Sequence, residues 1–265
     1  MEAAARAEAA GLLLGAYESR KPVEPLRDTF PGLDLDAAYA IQVLQVERRV
    51  AAGARVLGHK VGLTSAAMQR QMGVSTPDFG HLLDDMFQLE NTPIPTGAYL
   101  QPRIEPEVAF VLRRPLRGPG VTVAQALSAI DYLLPALEII DSRIRDWNIQ
   151  LPDTVADNAS SGGVVLGSRP VDPGEVDLRL SGCVLRVGGR VAGTGAGGAV
   201  LGSPVTSLVW LANTLGARGV TLEEGHVVLP GSITASVPVR PGEVVTATFA
   251  GLGSVTATFA KEEGR

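Results

Sequence analysis

Two carboxylates, Glu105 and Glu107, lie two positions apart in QPRIEPEVAFVL (residues 101–112), at the head of an apolar run that reads as a strand. Side chains at i and i+2 leave the same face of a strand, so the pair points into one space. Two negative charges that close repel unless a cation lies between them. The plainer alternative is a solvated strand end with both acids in water. A third acid, Glu138, is embedded in the apolar run LLPALEIIDSRI (residues 133–144). Burial there demands a cation, a set of hydrogen bonds or a raised pKa. Together the three would form a hard oxygen face for Mg²⁺ or Mn²⁺, with waters or a chelating substrate filling the other octahedral positions.

Two further clusters could do chemistry. Lys60, in GHKVGLTS, lies in an otherwise apolar strand-like run. Burial could lower its pKa and make it a proton carrier, or it could pair with a nearby acid. Asp78 follows a proline in a glycine-flanked turn, where turn capping is the bland role. In DTVADNASSGG, Asp153, Asp157, Asn158, Ser160 and Ser161 crowd into an expected loop, and such loops often only satisfy their own backbone. Cys183 is the single cysteine, which excludes an intrachain disulfide; its alternating surroundings LRLSGCVLRV suit a small buried hydrophobe. The three histidines, His59, His81 and His226, have no zinc-motif spacing, so a zinc enzyme is not expected.

The elements that must position these residues fall into two stretches. Roughly the first 55 residues read as helical: an alanine-rich helix, a break at KPVEPL, then LDLDAAYAIQVLQVERRVAAGA. In the second helix Tyr39, Val43, Val46 and Val50 form the expected apolar stripe, Asp34 or Asp36 can cap the start and Gly53 suits the end. Short β-rich runs between glycine and proline turns follow, interrupted by few helices. One helix is predicted from Thr122 to about Leu134, with Thr122 and Gln125 as a capping box; another starts at Ser203 with Pro204 in its first turn. Strands and helices do not alternate, which argues against a doubly wound nucleotide-binding sheet. GTGAGG matches a dinucleotide fingerprint at Gly193, Gly195 and Gly198, but the next helix begins too late, so a flexible loop is expected. The boundary near residues 55–60 divides a helical region, 1–57, from a β-rich catalytic region, 58–265.

With 265 residues, 45% hydrophobic and 19% charged, the chain can bury a large core, and its net charge of −5 argues against nucleic-acid or anionic-membrane partners. No apolar stretch is expected to span a membrane, and the acidic start lacks a secretory pattern, so a cytoplasmic location is expected.

Several ordered motifs, GHKVGLTS, PDFGHL, QPRIEPE, ALEIIDSRIRDW, DTVADNASSG, GAGGAVLGSPV and GLGSVTATF, resemble the 2-hydroxypenta-2,4-dienoate (2-keto-4-pentenoate) hydratases and their sister 4-oxalocrotonate decarboxylases. Both belong to the fumarylacetoacetate-hydrolase-like superfamily, and the resemblance covers nearly the whole chain. It implies an α+β fold, a mixed β-barrel or β-roll catalytic domain behind a smaller helical N-terminal part. It also implies Mg²⁺ or Mn²⁺ on Glu105, Glu107 and Glu138. For the proton transfers that such a reaction needs, Lys60 and Asp78 are the candidate carriers, with Ser160 orienting the substrate carboxylate or the water. PDFG and RDWNIQLPDTVADNAS look more like hydratases, whereas GSITASVPVRPGE is reminiscent of decarboxylases. GHKVGLTSAAMQRQMGV and GHLLDDMF are particularly similar to actinobacterial steroid-ring enzymes acting on 2-hydroxyhexa-2,4-dienoate. The expected reaction adds water to a small anionic 2-hydroxydienoate to give a 4-hydroxy-2-oxo acid. Homo-oligomers, pentamers or decamers, are implied, with association to a downstream aldolase or the sister decarboxylase as a further option. A catalytically silent scaffold subunit and a C–C bond hydrolase are the competing readings.

Overall fold

The computed structural model describes residues 1–261. Three helices open the chain: α1 (Ala3–Ser19), α2 (Leu26–Thr29) and α3 (Leu35–Ala51). Asp34 caps α3, its carboxylate accepting from Ala37 N–H at 2.8 Å. The expected stripe on α3 is displaced. Val43 and Val50 are exposed, whereas Ala38, Ile41, Gln42 and Gln45 are buried. The two glutamines face inward because backbone carbonyls await them: Gln42 Nε2 donates to Phe79 O and Val155 O, and Gln45 Nε2 to Ala156 O. Hydropathy alone ranks valine inside and glutamine outside; hydrogen-bond demand reverses the order here.

Two sheets follow. The larger is built from β1 (Val56–Gly62), β2 (Asp78–Leu83), β3 (Phe87–Leu89), β5 (Arg103–Leu112), β6 (Ile130–Ile140), β7 (Ser161–Leu166) and β10 (Val227–Leu229). Its order is β2-β1-β10-β5-β6-β7-β3, with β11 (Val237–Pro238) paired to β5. The second sheet has β4 (Pro93–Ile94), β8 (Gly182–Val187), β9 (Arg190–Ala196), β12 (Val244–Phe249) and β13 (Gly253–Phe259), in the order β4-β13-β12-β8-β9. Cys183 is buried on β8, as expected. Helices α4 (Ala66–Met72), α5 (Val123–Ala129), α6 (Leu151–Ala156) and α7 (Pro204–Gly216) lie between strands.

The Thr122–Gln125 capping box forms, but its helix stops at Ala129 rather than near Leu134. From Ile130 onward the chain pairs with β5 along its whole length, and this long ladder outweighs the helical pattern. DTVADNASSGG is not simply a loop: it supplies α6, a 3-10 turn at Asn158–Ser160 and the start of β7. GTGAGG is β9 followed by a 3-10 turn rather than a flexible loop. Its glycines admit close backbone neighbours, since a Cβ on Gly195 would lie 2.2 Å from Ile233 O and one on Gly197 1.8 Å from Leu178 O. Gly197–Gly216 is apolar enough over 20 residues to cross a membrane by length and composition. Gly202, at φ +80°, and Pro204 split it into a short turn and the 13-residue α7, whose Leu208, Leu211 and Leu215 are buried.

Alternation along the large sheet separates two cores. One face carries Val61, Ile104, Phe110, Leu137, Ile139 and Val228, which pack in the same cluster as Leu13, Leu26 and Ile41 of the helices. The other carries Leu82, Ala109, Val111, Ala136, Val164 and Leu229 in a separate cluster. The sheet curls around this second face: β2, at one end of the order, touches β7 and the Asn158–Ser160 turn near the other.

Candidate active site

The three glutamates lie on the concave face, and strand register brings them there. Glu105 stands directly opposite Glu138 across the antiparallel β5–β6 ladder, and Glu107 opposite Ala136. One carboxylate oxygen from each of Glu105, Glu107 and Glu138 falls in a set whose members are all within 4.8 Å of one another. Glu107 and Glu138 are fully buried, while Glu105 is partly accessible. Gly231 N–H donates to Glu107 Oε2 at 2.7 Å. Gly231 has φ +128°, and a Cβ there would meet Thr64 Oγ1 at 2.2 Å. Only glycine allows this loop to orient Glu107.

Burial and mutual repulsion hold the acids away from ordinary carboxylate behaviour. Burial, reinforced by Glu138, pushes Glu105 up to about 7. Burial and the charges of Glu138 and Glu105 push Glu107 well up, and burial raises Glu138 against the opposing field of Lys60. Glu107 Oε1 and both oxygens of Glu138 are buried without a hydrogen-bond partner. Such orphaned hard oxygens are costly unless a cation satisfies them, so the donor set fits a divalent ion that prefers carboxylates.

Lys60 reaches across the concavity from β1. Its Nζ lies 3.3 Å from Glu138 Oε1 and donates to Ala159 O at 3.0 Å. Burial pulls its pKa down, but the combined fields of Glu138, Asp78, Glu105 and Glu107 win and raise it. Of the two roles open to Lys60 from sequence, pairing with a nearby acid is the one that the structure shows, and a depressed pKa is not. Asp78 is the first residue of β2 rather than part of a turn, and it pairs with Gly62. A Cβ on Gly62 would lie 2.2 Å from Asp78 Oδ1 and 3.5 Å from Lys60 Nζ, so this glycine makes room for the acid beside the amine. Burial raises the Asp78 pKa, partly offset by Lys60. Its Oδ1 has no hydrogen-bond partner.

The Asn158–Ser160 turn forms the remaining wall. Asn158, Ala159 and Ser160 have φ of 51°, 50° and 54°, three consecutive non-glycine residues in the left-handed region. The Asn158 side chain acts as a strand partner for β2, accepting from His81 N–H at 2.8 Å and donating to His81 O at 2.9 Å. Ser160 Oγ is engaged with Thr154 Oγ1 at 3.2 Å. Ser161 Oγ is buried and unpartnered, and a Cβ on Gly80, the cross-strand neighbour of Lys60, would lie 2.8 Å from it.

Gly62, Gly231 and the Asn158 brace escaped the sequence reading. The glycine two residues after Lys60 was the available signal for the first; the other two depend on long-range partners. His59, His81 and His226 also converge, with ring centroids 4.8 Å apart for the first pair and 5.9 Å for His59 with His226. Strand alternation sends His59 to the face opposite Lys60, so this cluster lies behind the acids.

Comparison with known proteins places the chain in a family. A family model described as fumarylacetoacetate (FAA) hydrolase C-terminal matches residues 60–260. The chain belongs to this family. A 2-keto-4-pentenoate hydratase of Paraburkholderia xenovorans strain LB400 is 48% identical over 254 residues, covering 96% of this chain and 94% of that protein. A 2-oxo-hept-4-ene-1,7-dioate hydratase of Escherichia coli is 41% identical, covering 92% and 94%. The structure of 4-oxalocrotonate decarboxylase from Pseudomonas putida G7, complexed with magnesium and adipate, superposes with a TM-score of 0.94 at 37% identity over 98% of both chains. The α+β fold expected from sequence is thus the fold of this family.

Proposed function

We propose that this chain is a metal-dependent hydro-lyase that adds water to 2-hydroxypenta-2,4-dienoate or 2-hydroxyhexa-2,4-dienoate, giving a 4-hydroxy-2-oxo acid. The observation that carries the reading is buried Lys60, ion-paired with Glu138 and sharing the space beside Gly62 with Asp78, next to three convergent carboxylates of which Glu107 and Glu138 carry oxygens without a hydrogen-bond partner. Its occurrence in a chain 48% identical to a 2-keto-4-pentenoate hydratase supports the choice of reaction.

Glu105, Glu107 and Glu138 would hold Mg²⁺ or Mn²⁺, which when bound supplies Lewis-acid stabilisation of negative charge on the substrate's 2-oxygen. The chain's own residues then manage protons. Lys60 and Asp78, facing one dry space, would take the 2-hydroxyl proton of the dienol as a proton is delivered to C5, and then take a proton from the water that adds at C4 as one is delivered to C3, so the pair ends each turnover as it began. Ala159 O fixes the direction of the Lys60 ammonium. Ser160 and Ser161 bring hydroxyls to the same wall, and Ser161, with no competing partner, is the freer to orient the substrate carboxylate or the water. No covalent intermediate is needed. Assembly into pentamers or decamers belongs to the same reading and is checked by light scattering.

A second reading, decarboxylation of 2-oxohex-3-enedioate, is favoured by the close superposition on the decarboxylase. The test is ultraviolet absorbance decay of freshly generated five- and six-carbon dienoates with Mg²⁺ or with chelator, scoring product. Metal-dependent formation of the 4-hydroxy-2-oxo acid, lost in Glu138→Ala, is the expected result, and the ratio of kcat/KM values assigns chain length. Release of CO₂ from the dioate without dienoate turnover would replace the hydratase by the decarboxylase. A folded protein that takes up neither metal would mark a silent subunit.

A further inference from the structure

The strained turn that presents Ala159 to Lys60 does not hold itself. Three successive non-glycine residues, Asn158, Ala159 and Ser160, sit in the left-handed region against the intrinsic preference of an L-residue backbone. Such backbone persists only where its surroundings over-determine it. The surroundings here converge on one side chain. Arg143, between β6 and α6, is completely buried. Its Nε donates to Asp157 Oδ1 at 2.5 Å, its backbone N–H to Asp157 Oδ2 at 2.9 Å, its Nη2 to Asp157 O at 2.5 Å and its Nη1 to Ser161 O at 2.8 Å. The guanidinium thus grips the residues immediately before and after the Asn158–Ser160 turn. It is backed by the Tyr17 ring of α1, whose centroid lies 4.4 Å from the guanidinium carbon.

We infer that Arg143 is a positioning residue for Lys60, acting through the turn that it clamps at both ends. The path is short: Arg143 fixes Asp157 and Ser161, these fix the left-handed turn, and the turn places Ala159 O 3.0 Å from Lys60 Nζ. The same clamp holds the backbone carbonyl of Ser161, the residue that carries the unpartnered hydroxyl. A lysine cannot replace it, because one ammonium cannot reproduce the planar fork that spans a carboxylate and two carbonyls. Tyr17 makes the N-terminal helix part of this support, although the FAA hydrolase family match begins only at residue 60. The inference deepens the proposed hydratase reading and rests on it for its catalytic readout.

The experiment compares the full-length, Mg²⁺-loaded parent with Arg143→Lys, Arg143→Ala and Asp157→Asn. In folded Arg143→Lys, kcat is expected to fall on the order of 100-fold, the scale of an ångström-level misplacement, with KM changed less than about threefold. Mn²⁺ affinity should stay near that of the parent, since no acid of the trio is touched. Added guanidinium ion should restore part of the kcat of Arg143→Ala. Hydrogen exchange should quicken at the amides of residues 158–161 and stay unchanged in β12 and β13. A kcat within threefold of the parent in folded Arg143→Lys, with a lowered Tm, would reduce Arg143 to a structural support and overturn the inference. If Arg143→Ala does not fold, Arg143→Lys and Asp157→Asn decide. A parent that does not hydrate the dienoates refutes the hydratase reading instead, and the exchange pattern then decides the clamp by itself.

Discussion

Replacing Lys60 by methionine keeps the length of the side chain and removes its charge. Lys60 Nζ and Glu138 Oε1 are 3.3 Å apart in a buried site, which at an effective dielectric near 20 corresponds to about 5 kcal/mol of attraction. Removing one partner of a buried pair typically costs about 3–5 kcal/mol, because the other charge is stranded. Here the stranded group is worse than a single acid, since Glu105, Glu107 and Asp78 share the space. In chelator, Lys60→Met is therefore expected to melt roughly 6–20 °C below the parent, at roughly 2–4 °C per kcal/mol for a chain of this size. Saturating Mg²⁺ supplies the missing positive charge and, with Lys60 gone, meets no ammonium repulsion, so the gap in Tm between metal-loaded and metal-free forms should widen in the variant. Turnover should fall by at least about 10² even when fully loaded, the usual scale for loss of a general acid or base. Differential scanning fluorimetry with and without chelator, beside the dienoate absorbance assay, reads all three. Equal metal-free Tm values and an unchanged gap would refute the idea that Lys60 neutralises the trio. A kcat within tenfold of the parent would remove it from the proton path.

Three other outcomes follow from neighbouring contacts. Gly62→Ala places a methyl 2.2 Å from Asp78 Oδ1, so kcat should drop at least tenfold while Mn²⁺ affinity, measured by titration, stays put; equal loss of both would mean the strand itself had shifted. Ser161→Ala should raise KM or lower kcat by roughly 10-fold, consistent with about 1–1.5 kcal/mol for one lost hydrogen bond, and more than Ser160→Ala does. The reverse order in steady-state kinetics would return the orienting role to Ser160. Burial lowers His81 to about 4 from an ordinary value of 6.5. The unfolded chain then takes up this proton first, so the contribution is complete above pH 6.5 and is lost as pH falls toward 4, by up to about 3 kcal/mol. Burial moves His59 the same way. Urea unfolding at pH 7 and pH 5 should show a smaller acid loss for His81→Phe than for the parent, and identical losses would contradict this assignment.

What could be read along the chain was whatever depends on local spacing. Glu105 and Glu107 share a face because a strand repeats every two residues, and Glu138 announced itself as an acid that its apolar neighbours could not solvate. The Asp34 cap and the Thr122–Gln125 capping box are equally local and form as expected. Local pattern failed where a distant partner decided the outcome. Residues 130–134 extend as strand because β5 offers a full ladder, and Gln42 and Gln45 turn inward because carbonyls from β2 and α6 need donors. The GTGAGG glycines serve the close approach of other backbone segments rather than a phosphate. The choice between the two roles open to Lys60 has the same origin, since a charge's preference is the sum of fields from four acids on three other strands. Sequence alone thus determined the residue types and their local faces. Only the register of β5 against β6, the curl that carries Lys60 across to Glu138 and the grip of Arg143 on a strained turn decided which of them meet, because those distances are set by partners well beyond the reach of local spacing, from 14 residues away for Arg143 and Asp157 to several tens for the strand pairings.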